Sequence, residues 1–144
     1  MNENSTLEYI LNLIKDCPHL KEFEGLFAVV DVESLGEDPQ CYGIEPTPCD
    51  PVVKRFIGGA AKCQFQFIFA SRELNAGNEQ KLENNRFYEN LEAWFREVSM
   101  KGLPAMREGY TPQKLEALSC GYAYDQTETR SQYQIQCRLL YIRE

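Results

Sequence analysis

Histidine occurs once in the 144 residues, as His19 directly after Pro18. One histidine cannot build a two-histidine metal site, and a nucleophilic triad would have to depend on this residue alone. Its place at a helix end reads as a surface or capping residue. Six cysteines stand at 17, 41, 49, 63, 120 and 137, with no C-x-x-C among them, so neither a zinc ribbon nor a dithiol redox motif is written here. Cys63 and Cys137 lie inside apolar strand patterns and read as small buried hydrophobes. Cys41 and Cys49 flank a loop and would pair only under oxidising conditions. GGAAK at 58–62 looks like a phosphate loop at first sight. It lacks the G-x-x-x-x-G-K-[ST] spacing, and a strand follows it where a phosphate needs a helix N-terminus. Among the carboxylates, only Asp31 sits in an apolar run, between Val30 and Val32, and alternation turns it away from the core. No catalytic, cofactor or metal site follows from these residues.

A different kind of residue recurs in the stretches AKCQFQFIFASRE (61–73) and SQYQIQCRLLYIRE (131–144). Cys63, Phe65, Phe67 and Phe69 alternate with Gln64, Gln66, Ile68 and Ala70. Tyr133, Ile135, Cys137, Leu139 and Tyr141 alternate with Gln132, Gln134, Gln136 and Arg138. Strict period two makes both stretches strands with one apolar face. Aromatic strand faces can stack nucleic-acid bases, but Lys54, Arg55 and Arg72 form no basic patch around them, and core is the better reading. Gln64, Gln66, Gln132, Gln134 and Gln136 are long, neutral and able both to donate and to accept. If the two strands are neighbours, these amides form a cross-strand ladder. Two readings stay open: a solvent-facing sheet, or a face buried between subunits.

Charge is uneven. The chain carries −7 overall. Residues 1–50 hold eleven acids against two lysines, and residues 51–144 hold eleven acids against thirteen bases. The acidic first third repels nucleic acid, which argues against specific nucleic-acid binding. A hydrophobic content of 43% with 26% charged residues belongs to a globular chain, and 144 residues suit one domain, 1–144, with one core. No apolar run reaches the length of a membrane span, and MNENSTLEYILNLIKDC has no secretory-signal pattern, so a cytosolic protein without membrane partners is expected.

The elements that must position these residues can be read in order. Ser5 and Glu8 make a capping box ahead of Leu7, Ile10, Leu11 and Ile14, so 5–16 is a helix, closed by Pro18. Residues 26–32 read as a strand, 36–40 as a turn, 41–45 as a short strand, 47–51 as irregular, and 52–57 as a strand broken by Gly58-Gly59. Residues 75–80 read as a loop into a second helix. There Phe87, Leu91, Trp94, Phe95 and Val98 form an apolar stripe, and Gly102 and Pro104 stop it. Lys114 to Tyr124 reads as a strand in which Gly121 marks a bulge or a close approach. DQTET at 125–129 is a turn, and 130–143 is the last strand. Helices segregated from runs of strands indicate an α+β fold.

The succession of the N-terminal helix, SLGEDPQCYGIEPTPCDPVVKRFIGG, KCQFQFIFASRE, FYENLEAWFREV, KGLPAM and a terminal YQIQCRLLYIRE resembles a family of small proteins encoded in prophages of Gram-positive bacteria. They are minor capsid or tail-completion proteins of the head–tail gene block, and the pattern is most similar to the tail terminators of long, non-contractile-tailed phages. The resemblance spans about Leu7 to Glu144 and includes no catalytic motif. It implies a mixed, mostly antiparallel sheet with two main helices on one side. It implies a hexameric ring that caps the tail tube and docks on head–tail connector proteins, assembled in the host cytoplasm and carried in the virion. A ring around DNA would use a non-sticky acidic lining, for which Glu33, Glu37 and Asp38 are the candidates. The glutamines are the interface candidates. A head-completion or stopper role fits the same resemblance, and a small enzyme or ligand-binding domain is the remaining alternative.

Overall fold

The computed structural model describes residues 5–18, 30–32, 42–74, 78–126 and 130–144. Among them are two helices, α1 (Thr6–Lys15) and α2 (Asn78–Lys101), and seven strands: β1 (Val30–Val32), β2 (Tyr42–Pro46), β3 (Val52–Arg55), β4 (Ala61–Leu74), β5 (Tyr110–Ala117), β6 (Tyr122–Gln126) and β7 (Arg130–Arg143). The two glutamine stretches are β4 and β7, and they are direct neighbours. They pair antiparallel without interruption from Ala61↔Arg143 to Leu74↔Arg130. Fourteen residues of strand extend roughly 45 Å, longer than any other element can flank alone. Each long strand therefore carries two short partners end to end on its outer edge. β2 and β3 lie along β4, and β6 and β5 lie along β7. β1 joins β2 in parallel, so the sheet is mixed but mostly antiparallel. The fold is α+β, as the order of elements predicts.

Alternation decides the faces. The odd-numbered residues Cys63, Phe67 and Phe69 of β4 and Tyr133, Ile135, Cys137, Leu139 and Tyr141 of β7 are buried in one core. Ile44 joins them opposite Phe69, and Leu115 opposite Leu139. Tyr9, Ile10, Leu13 and Ile14 of α1 and Phe87, Tyr88, Leu91, Trp94 and Phe95 of α2 belong to that same core, so both helices cover one side of the sheet. Burying each of the larger apolar side chains contributes about 1.5–3 kcal/mol before chain entropy is counted. Cys63 and Cys137 are fully buried free thiols, and burial pushes the Cys137 thiol far up.

The caps are those the sequence predicts. The Ser5 hydroxyl accepts from the Glu8 amide at 3.2 Å, and the Glu8 carboxylate accepts from the Ser5 amide at 3.4 Å, completing the capping box. α2 ends at Gly102, whose φ of 105° suits glycine and whose amide donates to the Val98 carbonyl at 3.0 Å. The connection from α2 to β5 moors α1. The Tyr9 hydroxyl donates to the Pro104 carbonyl at 2.6 Å, and the Arg107 guanidinium reaches the Thr6 hydroxyl at 3.4 Å.

Several boundaries differ from the sequence reading, among them Asp125 and Gln126, expected in a turn but part of β6. Residues 78–80, expected in a loop, already belong to α2, because NEQ contains no breaker once the turn is made. Lys114–Tyr124, expected as one strand, is two. β5 begins earlier, at Tyr110, and accommodates Pro112 beside a register shift on the sheet's outer strand. The chain leaves β7 at residues 118–121 and returns as β6. The third strand stops at Arg55, and 56–60 form the turn. Residues 26–29, His19 and Cys41 lie outside the described residues, while Cys49 is a free thiol.

Burial pushes the Tyr9 phenol up to about 12, and burial is also the leading cause of an upward shift at Tyr141. A raised folded pKa means that the stabilising contribution is complete below the unfolded value near 10 and is lost as pH climbs toward 12. Urea titrations between pH 8 and 12 should show stability falling above pH 10, with Tyr9 accounting for roughly 2 kcal/mol of the loss. Tyr9→Phe should be about 1 kcal/mol less stable at neutral pH but flatter above pH 10. An unchanged alkaline slope in the variant would refute this assignment.

Candidate functional site

The even-numbered residues of β4 and β7 form the sheet face opposite the helices. Register places Gln64 against Leu140, Gln66 against Arg138, Ile68 against Gln136, and Ala70 against Gln134. The glutamines do share one face, but none stands opposite another. The expected amide ladder is therefore not formed, because the two glutamine runs are offset along the pairing. Gln132 pairs with Arg72, and its side chain lies outside the described residues. Glu33, Glu37 and Asp38 also lie outside them, as does the side chain of Asp31.

What forms instead is a polar network crossing the strands. The Gln64 amide nitrogen donates to the Asp50 carbonyl at 2.7 Å, tying β4 to the chain ahead of β3. The Gln64 amide oxygen accepts from Gln66 at 3.1 Å and from an Arg138 Nη at 3.3 Å. Arg138 turns its Nε and its other Nη onto one oxygen of Glu116, at 3.1 and 2.7 Å. Lys114 Nζ stands 3.6 Å from the second oxygen of Glu116. Three strands, β4, β7 and β5, are thus laced by side chains whose charges and amide dipoles are met within the sheet. At the other end, buried Gln134 donates to the Tyr122 hydroxyl at 2.6 Å. Gln136 is the exposed member of the set. Its backbone is held where β5 departs: the Leu118 amide donates to the Gln136 carbonyl at 2.6 Å, and the Gln136 amide donates to the Ser119 hydroxyl at 3.1 Å. The Ser119 side chain takes the place of a strand partner.

A concavity of about 780 Å³ lies between α2 and the 117–121 turn, with Tyr88, Glu89, Glu92 and Arg96 along one wall. Exposed Cys120 stands on its opposite wall. Arg96 is engaged by Glu92, with Nε at 3.1 and 2.9 Å from its two oxygens. Gly121 shows why the turn can sit here, since a Cβ at that position would lie 2.4 Å from Tyr88 Cβ. The close-approach reading of Gly121 therefore holds. The Tyr88 hydroxyl donates to the Tyr133 carbonyl at 3.0 Å and is bonded to the Ser71 hydroxyl at 2.5 Å. Among the described residues no group of three His, Cys, Asp or Glu side chains could hold a metal ion, and no helix is long and apolar enough to cross a membrane.

Sequence reasoning named the glutamines and noted Arg138 but missed Glu116 and Tyr88. The signal for Glu116 is its place beside the core residue Leu115, which turns it onto the polar face. Tyr88 carries no such mark, since it borders the helical stripe and only the fold shows its two partners. No protein-family model matches this chain, and no curated protein matches it significantly.

Two outcomes are expected. A double-mutant cycle of Arg138→Ala and Glu116→Ala, read by urea unfolding, should give a coupling energy of about 1 kcal/mol, because the pair is forked but partly solvated. A coupling of zero would mean that the pair adds no net stability in solution. Gly121→Ala should cost about 1–3 kcal/mol, since the new methyl meets the root of the Tyr88 side chain, which cannot swing aside. For a chain near this length the melting temperature falls ~2–4 °C per kcal/mol, and a wild-type melting curve would contradict the packing described.

Proposed function

We propose that this chain is a structural assembly protein of a tailed phage: a tail terminator that closes the tail tube as a homo-oligomeric ring and presents the surface that joins tail to head. The carrying observation is the sheet face turned away from α1 and α2. Among its described side chains Gln64, Gln66, Arg138 and Glu116 are bonded to one another within the sheet, with exposed Gln136 and half-buried Ile68 beside them. Polar groups fixed and paired in this way lose little side-chain freedom and bring no unpaired charge of their own to desolvation when a second protein covers them. That suits repeated contact between copies or with a tube. The sequence resemblance supports the same role. In this reading the partners are further copies of the chain, the tail tube protein and the head–tail connector proteins. The site of action is the host cytoplasm during assembly and then the virion, and the chain performs no catalysis.

The test is negative-stain imaging over a concentration series, with solution mass measured in parallel and purified tail tubes added in a second arm. Six-fold rings with an open centre are expected, free or on tube ends. Gln136→Lys should raise the concentration needed for rings at least about tenfold, a loss of about 1.4 kcal/mol, while the melting temperature stays near that of the wild type. A protein that remains monomeric and is not recruited by tubes would overturn the proposal.

A further inference from the structure

The β3–β4 turn carries a feature that neither the core nor the polar face uses. Among the described residues five large hydrophobic side chains are exposed, and Val53, Phe56 and Ile57 of this hairpin are three of them. Ile57, at the tip, is fully exposed. Single exposed hydrophobics are ordinary, but adjacent Phe56 and Ile57 with Val53 behind them form a patch. The backbone there closes on itself. The Phe56 amide donates to the Ala60 carbonyl at 2.9 Å, and the Gly59 amide to the Phe56 carbonyl at 3.3 Å. Gly58 and Gly59 hold φ of 106° and 100° with open space around them, so the tip is thin. Behind it the sheet register gathers bases. Lys54 stands directly opposite Lys62, and Arg55 opposite Ala61, which in turn pairs with Arg143. By alternation the lysines take one face of the sheet and the arginines the other. None of the four is in an ion pair among the described residues, although like charges directly opposite one another destabilise a strand pair. No acid occurs from 51 to 72.

We infer that this turn is a peripheral membrane anchor and that its partner is a bilayer surface rich in anionic phospholipid. The order of side chains along the hairpin matches the order of layers in a lipid interface. Apolar Phe56 and Ile57 lie outermost, where they reach the acyl boundary, and the bases lie behind them, at the depth of the headgroup phosphates. Backbone groups bonded within the turn cost less to take out of water than open ones. Anionic headgroups also relieve the repulsion between Lys54 and Lys62, which a neutral surface leaves in place. The chain carries −7 overall, so an anionic surface repels it in most orientations and the basic cluster sets the one in which it binds. The contact is peripheral, since among the described residues no helix is long and apolar enough to cross a membrane. It departs from the expectation of no membrane partner. It is independent of the ring reading, because it needs no second copy.

The experiment is cosedimentation of the full chain with phosphatidylcholine vesicles, with and without an equal share of phosphatidylglycerol. Binding to the anionic vesicles and not to the neutral ones is expected, and it should be at least about tenfold weaker at about 500 mM salt than at about 50 mM. Ile57→Asp and Lys54→Gln/Lys62→Gln should each weaken binding at least about tenfold. The first should leave the melting temperature unchanged, and the second should leave it unchanged or raise it, since it removes the like-charge pair. Equal binding to neutral vesicles, no binding to either, or variants that bind like the wild type would overturn the inference. Ring assembly that Ile57→Asp abolishes, in a chain that ignores vesicles, would assign the tip to a protein contact instead. Salt-sensitive binding to DNA that Ile57→Asp leaves intact, again without vesicle binding, would assign the bases to a nucleic acid. A chain that forms rings and binds no vesicles loses this inference and keeps the ring; one that binds vesicles and forms no rings does the reverse.

Discussion

Everything in this fold hangs on one ladder, the unbroken antiparallel pairing of β4 with β7. Its partners are distant in sequence, so the chain must close a long loop before the first of these bonds is rewarded. Once formed, the ladder supplies both outer edges on which β2, β3, β5 and β6 dock. It also supplies the apolar floor that α1 and α2 cover. Period two makes its register unforgiving. A slip by one residue would turn Phe67 and Phe69 to the open side and bring Gln64 and Gln66 under the helices. The aromatic row thus enforces the register, and the register in turn sets Gln66 and Glu116 on either side of Arg138.

α2 does more than cover this floor. The Ser99 hydroxyl donates to the Leu115 carbonyl and accepts from the Leu115 amide, both at 2.9 Å. It thereby meets backbone groups of β5 on the edge away from β7. Tyr88 reaches the Tyr133 carbonyl of β7 and the Ser71 hydroxyl of β4. A helix that bonds to an outer strand blocks part of an edge otherwise open to pairing with another chain. The sheet is left with fewer accidental ways to associate, and the specific surfaces gain weight accordingly.

Local chemistry was legible where it was self-sufficient. Ser5 and Glu8 announce the start of α1, Gly102 the end of α2, and strict alternation both long strands, because each signal acts within a few residues of itself. The shared face of the glutamines was legible in the same way. Their lack of mutual pairing was not, because alternation states which face a residue takes and says nothing of its opposite number across a gap of many residues. The division of 114–124 was hidden for a related reason. Leu115 and Ala117 keep strand alternation up to a departure forced by packing Gly121 against Tyr88, a contact with a distant helix. Glu116 escaped notice because its meaning comes from Arg138 on another strand.

The two surfaces that remain differ physically, and the difference bears on how copies would meet. The sheet face is broad and already bonded within itself, so covering it costs little and also selects weakly. The tip of the β3–β4 turn is small and apolar, with exposed Phe56 and Ile57 and with exposed Lys54 and Arg55 on one arm. It would bury little area in any contact. A contact on the sheet face would draw on shape and on groups already paired, and one at the tip on apolar burial. A closed ring of the kind proposed would need a contact between two different patches, and these two surfaces differ enough in chemistry that neither could stand in for the other.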